Sequence, residues 1–300
     1  MPLYQELQKS DWEERIAFFR RSFSPCKLCP RTCMAQRAEN RSGVCLVGER
    51  LKIASYNLHL GEEPPVSGSK GSGTIFFSGC TLKCVFCQNY PISQFFNGEY
   101  YGVKELSNIM QYLQKQGAHN INLVSPTPYL PHFVEALYAA SREGLNIPVV
   151  YNTSGYERRE VIEHLEGLVD IYMPDIKYIE NTLSFRLSGV SDYVDNAFET
   201  VDEMYRQVGA LQLDDVGVGV KGLIIRHLIL PGQMDNSRRI LKKIASRSWS
   251  GAYLSLMSQF FPAHRACETE VDRRLSADEY REIRDYAWDL GFREGWFQDI

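Results

Sequence analysis

Gly71-Ser72-Gly73-Thr74-Ile75-Phe76-Phe77-Ser78-Gly79-Cys80-Thr81-Leu82-Lys83-Cys84-Val85-Phe86-Cys87 is an apolar run that passes directly into a loop with three cysteines. The run reads as a strand over 74–78, apolar without alternation, as strands buried on both faces are. Gly79 lets the chain leave that strand and closely approach whatever the loop holds. The loop itself spells Cys-x3-Cys-x2-Cys.

Working outward from this loop, the chain alternates. Apolar strand candidates recur at 121–125, 147–152, 169–173, 222–230 and 252–257. Between them lie helical stretches at 104–116, 130–143, 157–165, 193–209 and 236–247. A last helix is expected at 277–290, with Ser276 as its cap and Glu279 at the capping-box position. Repeated β-α alternation predicts a parallel sheet with helices outside. Six units are too few for an eight-fold barrel. The fold class expected is therefore α/β, a partial (β/α)6 barrel of parallel strands with a small N-terminal cysteine-rich module. Residues 1–60 are assigned to a helix plus that module, 61–73 to a Gly/Pro-rich linker, and 74–300 to the barrel. In the first part, Trp12, Ile16, Phe19 and Phe23 recur at helical spacing over 11–23, with Ser10 and Glu13 as an expected capping box.

Composition narrows the function classes. A net charge of -4 leaves no basic excess to neutralise phosphates, so no nucleic-acid or membrane-surface partner is expected. No apolar run approaches the ~18 residues of a transmembrane helix. Residues 1–21 carry Glu6, Asp11, Glu13 and Glu14, unlike a secretory signal. A cytoplasmic chain is expected. In that compartment, clustered cysteines indicate metal or iron–sulfur ligation rather than disulfides.

Seven of the eight cysteines fall in two groups. Cys80, Cys84 and Cys87 can surround one corner of a cubane cluster, ligating three irons and leaving the fourth free. A zinc ion there would want a fourth ligand, and the nearest histidines, His59 and His119, are distant in sequence. Cys26, Cys29, Cys33 and Cys45 supply four thiolates, enough for structural zinc or an auxiliary iron–sulfur cluster. Spacing does not separate those two. Cys267 stands alone and reads as an ordinary thiol.

The three-cysteine spacing, the aromatic Phe86 before the last cysteine and the strand-loop position resemble the radical S-adenosylmethionine (SAM) superfamily. The longer string, continuing Cys87-Gln88-Asn89-Tyr90-Pro91-Ile92-Ser93, is similar to the branch related to the pyruvate formate-lyase-activating enzyme, including its uncharacterised activating-enzyme-like members and the AmmeMemoRadiSam proteins. The resemblance covers residues 26–298. It implies a 4Fe–4S cluster on Cys80, Cys84 and Cys87, with SAM chelating the free iron. It implies reductive cleavage of SAM to methionine and a 5′-deoxyadenosyl radical that abstracts hydrogen. Activation of a glycyl radical enzyme is one version; modification of another protein, a peptide or a small molecule is another. An electron donor such as flavodoxin or ferredoxin is implied as partner. Gln88 and the N-terminal cysteine module depart from the best-known activators. A reading from another class is a non-catalytic iron–sulfur or zinc protein for electron transfer or assembly.

Ligands of parallel sheets sit at the C-terminal strand ends, which locates the expected SAM site. The second strand ends Ser125-Pro126-Thr127-Pro128 where the superfamily has Gly-Gly-Glu-Pro; Ser125 and Thr127 hydroxyls or nearby carbonyls can substitute, or the segment is a rigid turn. By resemblance, Asn152, Thr153, Met173 and Asp175 would hold a monovalent cation beside SAM, with Ser154 and Lys177 nearby; Asn152 stands where an aspartate is expected. Asp175 and Lys177 are expected to point to opposite faces, so that only one meets the pocket; an ordinary ion pair is the plainer reading. Arg226 is expected on the SAM carboxylate, and His227 near the adenosine or buried as a structural residue. Met257-Ser258-Gln259-Phe260-Phe261-Pro262 is expected to close the pocket or to pack near the adenine. Tyr100-Tyr101 and Arg273-Arg274 read as solvated surface or as a substrate channel. No catalytic side chain is singled out.

Overall fold

The six apolar runs of the alternating region become the parallel strands of one sheet. The computed structural model describes residues 1–298. Its strands are β1 (Leu51–His59), β2 (Ser72–Phe77), β3 (Glu99–Tyr101), β4 (Ile121–Val124), β5 (Val149–Thr153), β6 (Ile171–Pro174), β7 (Gln212–Leu213), β8 (Gly219–Leu228), β9 (Tyr253–Met257) and β10 (Gly295–Phe297). The helices are α1 (Lys9–Phe23), α2 (Pro64–Ser67), α3 (Tyr90–Ser93), α4 (Val103–Lys115), α5 (Leu130–Arg142), α6 (Arg159–Glu163), α7 (Asn181–Ser188), α8 (Tyr193–Val208), α9 (Met234–Ala245) and α10 (Ala277–Asp289).

The strand order is β10-β9-β8-β6-β5-β4-β2-β1-β3. From β2 to β10 every neighbouring pair is parallel. The far edge reverses: β1 runs antiparallel to β2, and β3 antiparallel to β1. The sheet does not close on itself. Every residue of β5 and β6 is buried, which is why these strands carry no polar alternation.

Several expectations need correction. The stretch 61–73 does not separate two bodies. β1, assigned to the module, pairs with β2 from Ile53↔Phe77 to His59↔Ser72. The Gly/Pro-rich connection between them bends through α2, with proline at its first helical turn. β1 lacked a sequence signal because it is largely exposed beyond Ile53 and therefore carries polar residues. The two- and three-residue strands β3, β7 and β10 are too short to show a period. α7 went unpredicted; it ends at Gly189 in the left-handed conformation. In α1 the cap is Gln8 with Asp11, and Ser10 lies inside the helix. In α10 the Ser276–Glu279 capping box forms as expected.

The N-terminal residues share the core of the sheet domain. Trp12 packs on Tyr138 of α5 at 5.2 Å between ring centroids. Tyr4 is buried and its hydroxyl donates to the Ile147 carbonyl at 3.0 Å. Leu3 N–H donates to Asp170 at 2.7 Å. Phe19 is fully buried, so truncating it to alanine costs about 3–5 kcal/mol.

Candidate active site

The three-cysteine loop leaves β2 through Ser78 and Gly79. Gly79 has φ +85°, and a Cβ there would collide with the Cys45 carbonyl oxygen. Glycine is thus required by the backbone of the N-terminal module lying against the loop. Other elements fasten the loop from every side. Val85 N–H donates to Leu187 O at 2.9 Å, and Lys83 N–H to Ser188 O at 3.1 Å, both at the end of α7. The Gln94 amide donates to Cys84 O at 2.8 Å, and Arg31 to Thr81 O at 2.6 Å. Gln88 donates to Gln259 O at 2.9 Å, tying the loop to the chain after β9.

Two of the sulfurs have hydroxyl partners. Ser188 Oγ donates to Cys84 Sγ at 2.9 Å, and Ser93 Oγ lies 3.2 Å from Cys87 Sγ. Burial pushes the Cys84 thiol up to about 12, against the pull of the Lys177 ammonium and the Ser188 hydroxyl. Burial also raises Cys80, with Lys83 and Lys177 opposing. These groups favour thiolate once a metal compensates the burial. Among the described residues, no three Cys, His, Asp or Glu side chains converge where they could share one ion. A four-iron cluster takes each thiolate on a separate iron, so three thiols without a fourth suit a cluster with one iron left open.

A cavity of about 390 Å³ opens beside this loop at the C-terminal ends of the strands. Cys84, Phe86 and Cys87 form one wall; Asn152, Asp175, Lys177 and Arg226 form another. Phe76, Leu228 and Met257 give it an apolar side. Phe86 is backed by Phe260 at 5.6 Å. Met257 and Gln259, at the end of β9 and just after it, line the cavity.

Arg226 is the hub of the polar wall. Its Nε donates to Asp175 Oδ1 and its Nη2 to Asn152 Oδ1, each at 2.8 Å. Glu62 lies 3.5 Å and Glu63 3.9 Å from the guanidinium. Lys177 pairs with Asp175. Burial would raise the Asp175 carboxyl, but Arg226 and Lys177 outweigh it and hold it below the usual range. Burial lifts Glu62 to about 7 despite Arg226, with Glu63 adding repulsion.

This arrangement corrects three expectations and takes the structural alternative for His227. Asp175 and Lys177 both line the cavity, because residues two apart on extended chain share a face. The expected monovalent-cation ligands are not gathered: the cation against Asn152 and Asp175 is the Arg226 guanidinium, Thr153 donates to Glu157, and Met173 is packed with Val150, Ile171 and Ile224. Arg226 is accordingly committed to carboxylates of this chain. His227 faces away from the cavity; its Nδ1 is 2.7 Å from Ile176 O and its Nε2 2.9 Å from Ser237 Oγ, and burial lowers it to about 4. It is a structural residue.

Ser125, Thr127 and Ser154 do not line the cavity. Ser125 holds φ +58°. Thr127 is buried, donating to Glu157 Oε1 at 2.6 Å. The Ser154 carbonyl accepts from the Tyr193 hydroxyl at 2.8 Å. Residues that went unpredicted are His59, at the end of β1, Gly61 and Glu62 on the connection taken for a linker, and Asn89. The adjacent acidic pair Glu62–Glu63 in an apolar, Pro-rich setting was the available signal. Cys267 is exposed, as are Tyr100, beneath the Arg50 guanidinium, and Arg273, paired with Glu279.

Comparison with known proteins gives the family. Residues 74–244 match the radical SAM superfamily. Over 281 residues the chain is 30% identical to the uncharacterized protein MJ0674 of Methanocaldococcus jannaschii, covering 91% of this chain and 77% of that one. The chain belongs to the radical SAM superfamily, whose members are enzymes holding a 4Fe–4S cluster and SAM. Similar solved structures include Streptococcus suis SuiB bound to S-adenosylmethionine, 14% identical with a TM-score of 0.44 over 70% of this chain and 42% of that one. Another is anSMEcpe with bound AdoMet and a Kp18Cys peptide, 10% identical with a TM-score of 0.49 over 71% of this chain and 57% of that one. The chain thus spans about half the length of these solved relatives. No helix among the described residues is long and apolar enough to cross a membrane.

Proposed function

We propose that this chain binds SAM in the cavity beside Cys80, Cys84 and Cys87, and uses it to abstract hydrogen from a protein or peptide. The observation that carries the reading is the placement of Cys84 and Cys87 in the wall of a cavity at the C-terminal strand ends. When bound, the cluster supplies the single electron that cleaves a carbon–sulfur bond of SAM to give methionine and the 5′-deoxyadenosyl radical. The chain's own residues bind and orient. Phe76, Phe86, Leu228 and Met257 offer an apolar surface to adenosine. Lys177 and the Glu62 carboxylate, of opposite charge, suit the carboxylate and amino ends of SAM. Ionised Glu62 accepts from the amino group, so this contact strengthens as pH rises through about 7.

The cavity-lining segment Gln88–Asn89 continues into Tyr90, stacked on His264 at 4.9 Å, and the exposed Phe95. Gln259 continues into the exposed Phe261. Exposed aromatics on both segments support a macromolecular substrate docked at the mouth. Activation of a glycyl radical enzyme is the version to which the likeness of residues 71–93 to the pyruvate formate-lyase-activating branch points. The test is anaerobic reconstitution with iron and sulfide, reduction with dithionite, addition of SAM and quantification of 5′-deoxyadenosine against Cys84→Ala. Product from the wild type that disappears in the variant is expected. No product from a wild type with an intact cluster that SAM leaves spectroscopically unchanged would return the chain to the non-catalytic reading.

A further inference from the structure

The four N-terminal cysteines lie outside the cavity, and their surroundings distinguish the two metals that their spacing left open. Cys26, Cys29 and Cys45 are buried and Cys33 half-buried. Cys26 and Cys45 belong to one buried cluster, and Cys33 packs against it. The chain wraps the thiols closely: Cys26 N–H donates to Ala35 O at 3.0 Å, Met34 N–H returns to Cys26 O at 3.1 Å, and Thr32 N–H donates to Cys29 O at 3.0 Å. A Cβ on Gly43 would come within 2.6 Å of Cys33 Sγ, so the backbone passes directly over that sulfur.

Arg37 shows what charge the site must carry. Its side chain is only 2% exposed. Its Nη1 donates to Pro128 O at 2.7 Å and its Nη2 to Cys45 Sγ at 3.1 Å, and the guanidinium sits over Phe23 at 5.1 Å. Its Nε has no partner, and none of the ion pairs among the described residues includes it. A buried cation without a counterion costs several kcal/mol. The thiols beside it are the groups able to supply the negative charge, and they do so when ionised on a metal.

Four thiolates on zinc and four on a four-iron cluster both leave a net negative charge, so position must separate them. A four-iron cluster spreads its thiolates over separate irons. The module abuts the first cluster loop. The Cys45 carbonyl lies against Gly79, next to Cys80, and Arg31, between Cys29 and Cys33, holds Thr81.

We propose that Cys26, Cys29, Cys33 and Cys45 hold a second, redox-active 4Fe–4S cluster whose negative charge Arg37 compensates. It accepts one electron from a low-potential one-electron donor, which is oxidised by one electron, and its place beside Gly79 suits onward transfer to the Cys80 loop. Onward transfer rests on the radical SAM reading; the existence of the cluster does not.

The experiment is iron, sulfide and zinc analysis of the anaerobically purified full chain and of the triple variant Cys80→Ala, Cys84→Ala, Cys87→Ala, with electron paramagnetic resonance after dithionite reduction. About eight irons in the wild type, and about four irons with four sulfides in the variant, are expected for two clusters of four. A reduced-cluster signal is expected from the variant. One zinc per chain, or a wild type with only about four irons, overturns the proposal, and the wild-type count decides even if the variant does not fold. An iron-loaded variant silent under reduction overturns the redox role. In the triple variant, Arg37→Gln is expected to move the midpoint potential to more negative values at unchanged iron content, since a lost positive charge disfavours the reduced cluster. An unmoved potential rejects the role given to Arg37. Failure of SAM cleavage by a wild type containing eight irons would instead reject the proposed function and leave this site standing.

Discussion

Replacing Arg226 with methionine removes the cation that holds the polar wall of the cavity together. Its guanidinium meets Asp175 and Asn152 at 2.8 Å, Glu62 at 3.5 Å and Glu63 at 3.9 Å. Afterwards Lys177 still pairs with Asp175, but Glu62 and Glu63 face each other with no cation beside them. Removing one partner from a buried ion pair costs about 3–5 kcal/mol, and at about 2 °C per kcal/mol for a chain of this size the melting temperature falls roughly 6–10 °C. Glu62 already titrates near 7 with Arg226 in place; without it the carboxyl rises further. A carboxyl raised in the folded state contributes stability that is lost as pH rises through its folded value. The deficit of the variant is therefore smaller at pH 6 than at pH 8. Arg226→Lys, which keeps the charge without the fork, falls between the two. Thermal melts followed by circular dichroism at both pH values are the assay. A methionine variant melting within 1–2 °C of the wild type at pH 8 would show that solvent, not Arg226, carries these carboxylates.

Three further predictions follow from other parts of the site. Glu157 is fully buried and raised from 4.5 to about 7 by that burial; Glu157→Gln should gain on the wild type by on the order of 3 kcal/mol between pH 5 and pH 8 in urea titrations, and equal pH slopes for the two proteins would reject the shift. Ser188→Ala removes the hydroxyl donated to Cys84 Sγ; the midpoint potential of the reconstituted Cys80-loop cluster should move to more negative values, and an unchanged potential would remove Ser188 from the site. Gly79→Ala must accept φ +85° and a collision with the Cys45 carbonyl; a loss of roughly 1–3 kcal/mol is expected from the backbone alone, and native-like stability by chemical denaturation would mean that the N-terminal module does not press on the loop.

The parallel strands and the three-thiol loop were legible from local pattern. β2, β4, β5, β6 and β9 are buried along nearly their whole length, and β8 over its middle, so burial wrote itself into largely apolar runs. The cysteine spacings required no long-range knowledge, because each group lies within one short stretch of chain. α10 announced its start through Ser276 and Glu279, whose capping is a local reaction between neighbours.

What sequence could not determine depends on partners distant along the chain. β1 is a strand because β2 offers it a hydrogen-bonding edge, not because of its own mostly polar residues. Glu62 became a cavity residue only when that strand carried the connection over the sheet end, where Arg226, 164 positions away, meets it. Arg226 looked free to bind a ligand carboxylate until the fold placed Asp175, Asn152, Glu62 and Glu63 around it. The same holds for Arg37, an unremarkable arginine in a loop until burial beside Cys45 left it a cation among thiols. Local chemistry set the two groups of thiols; desolvation and charge pairing, which exist only once distant segments meet, decided what surrounds them.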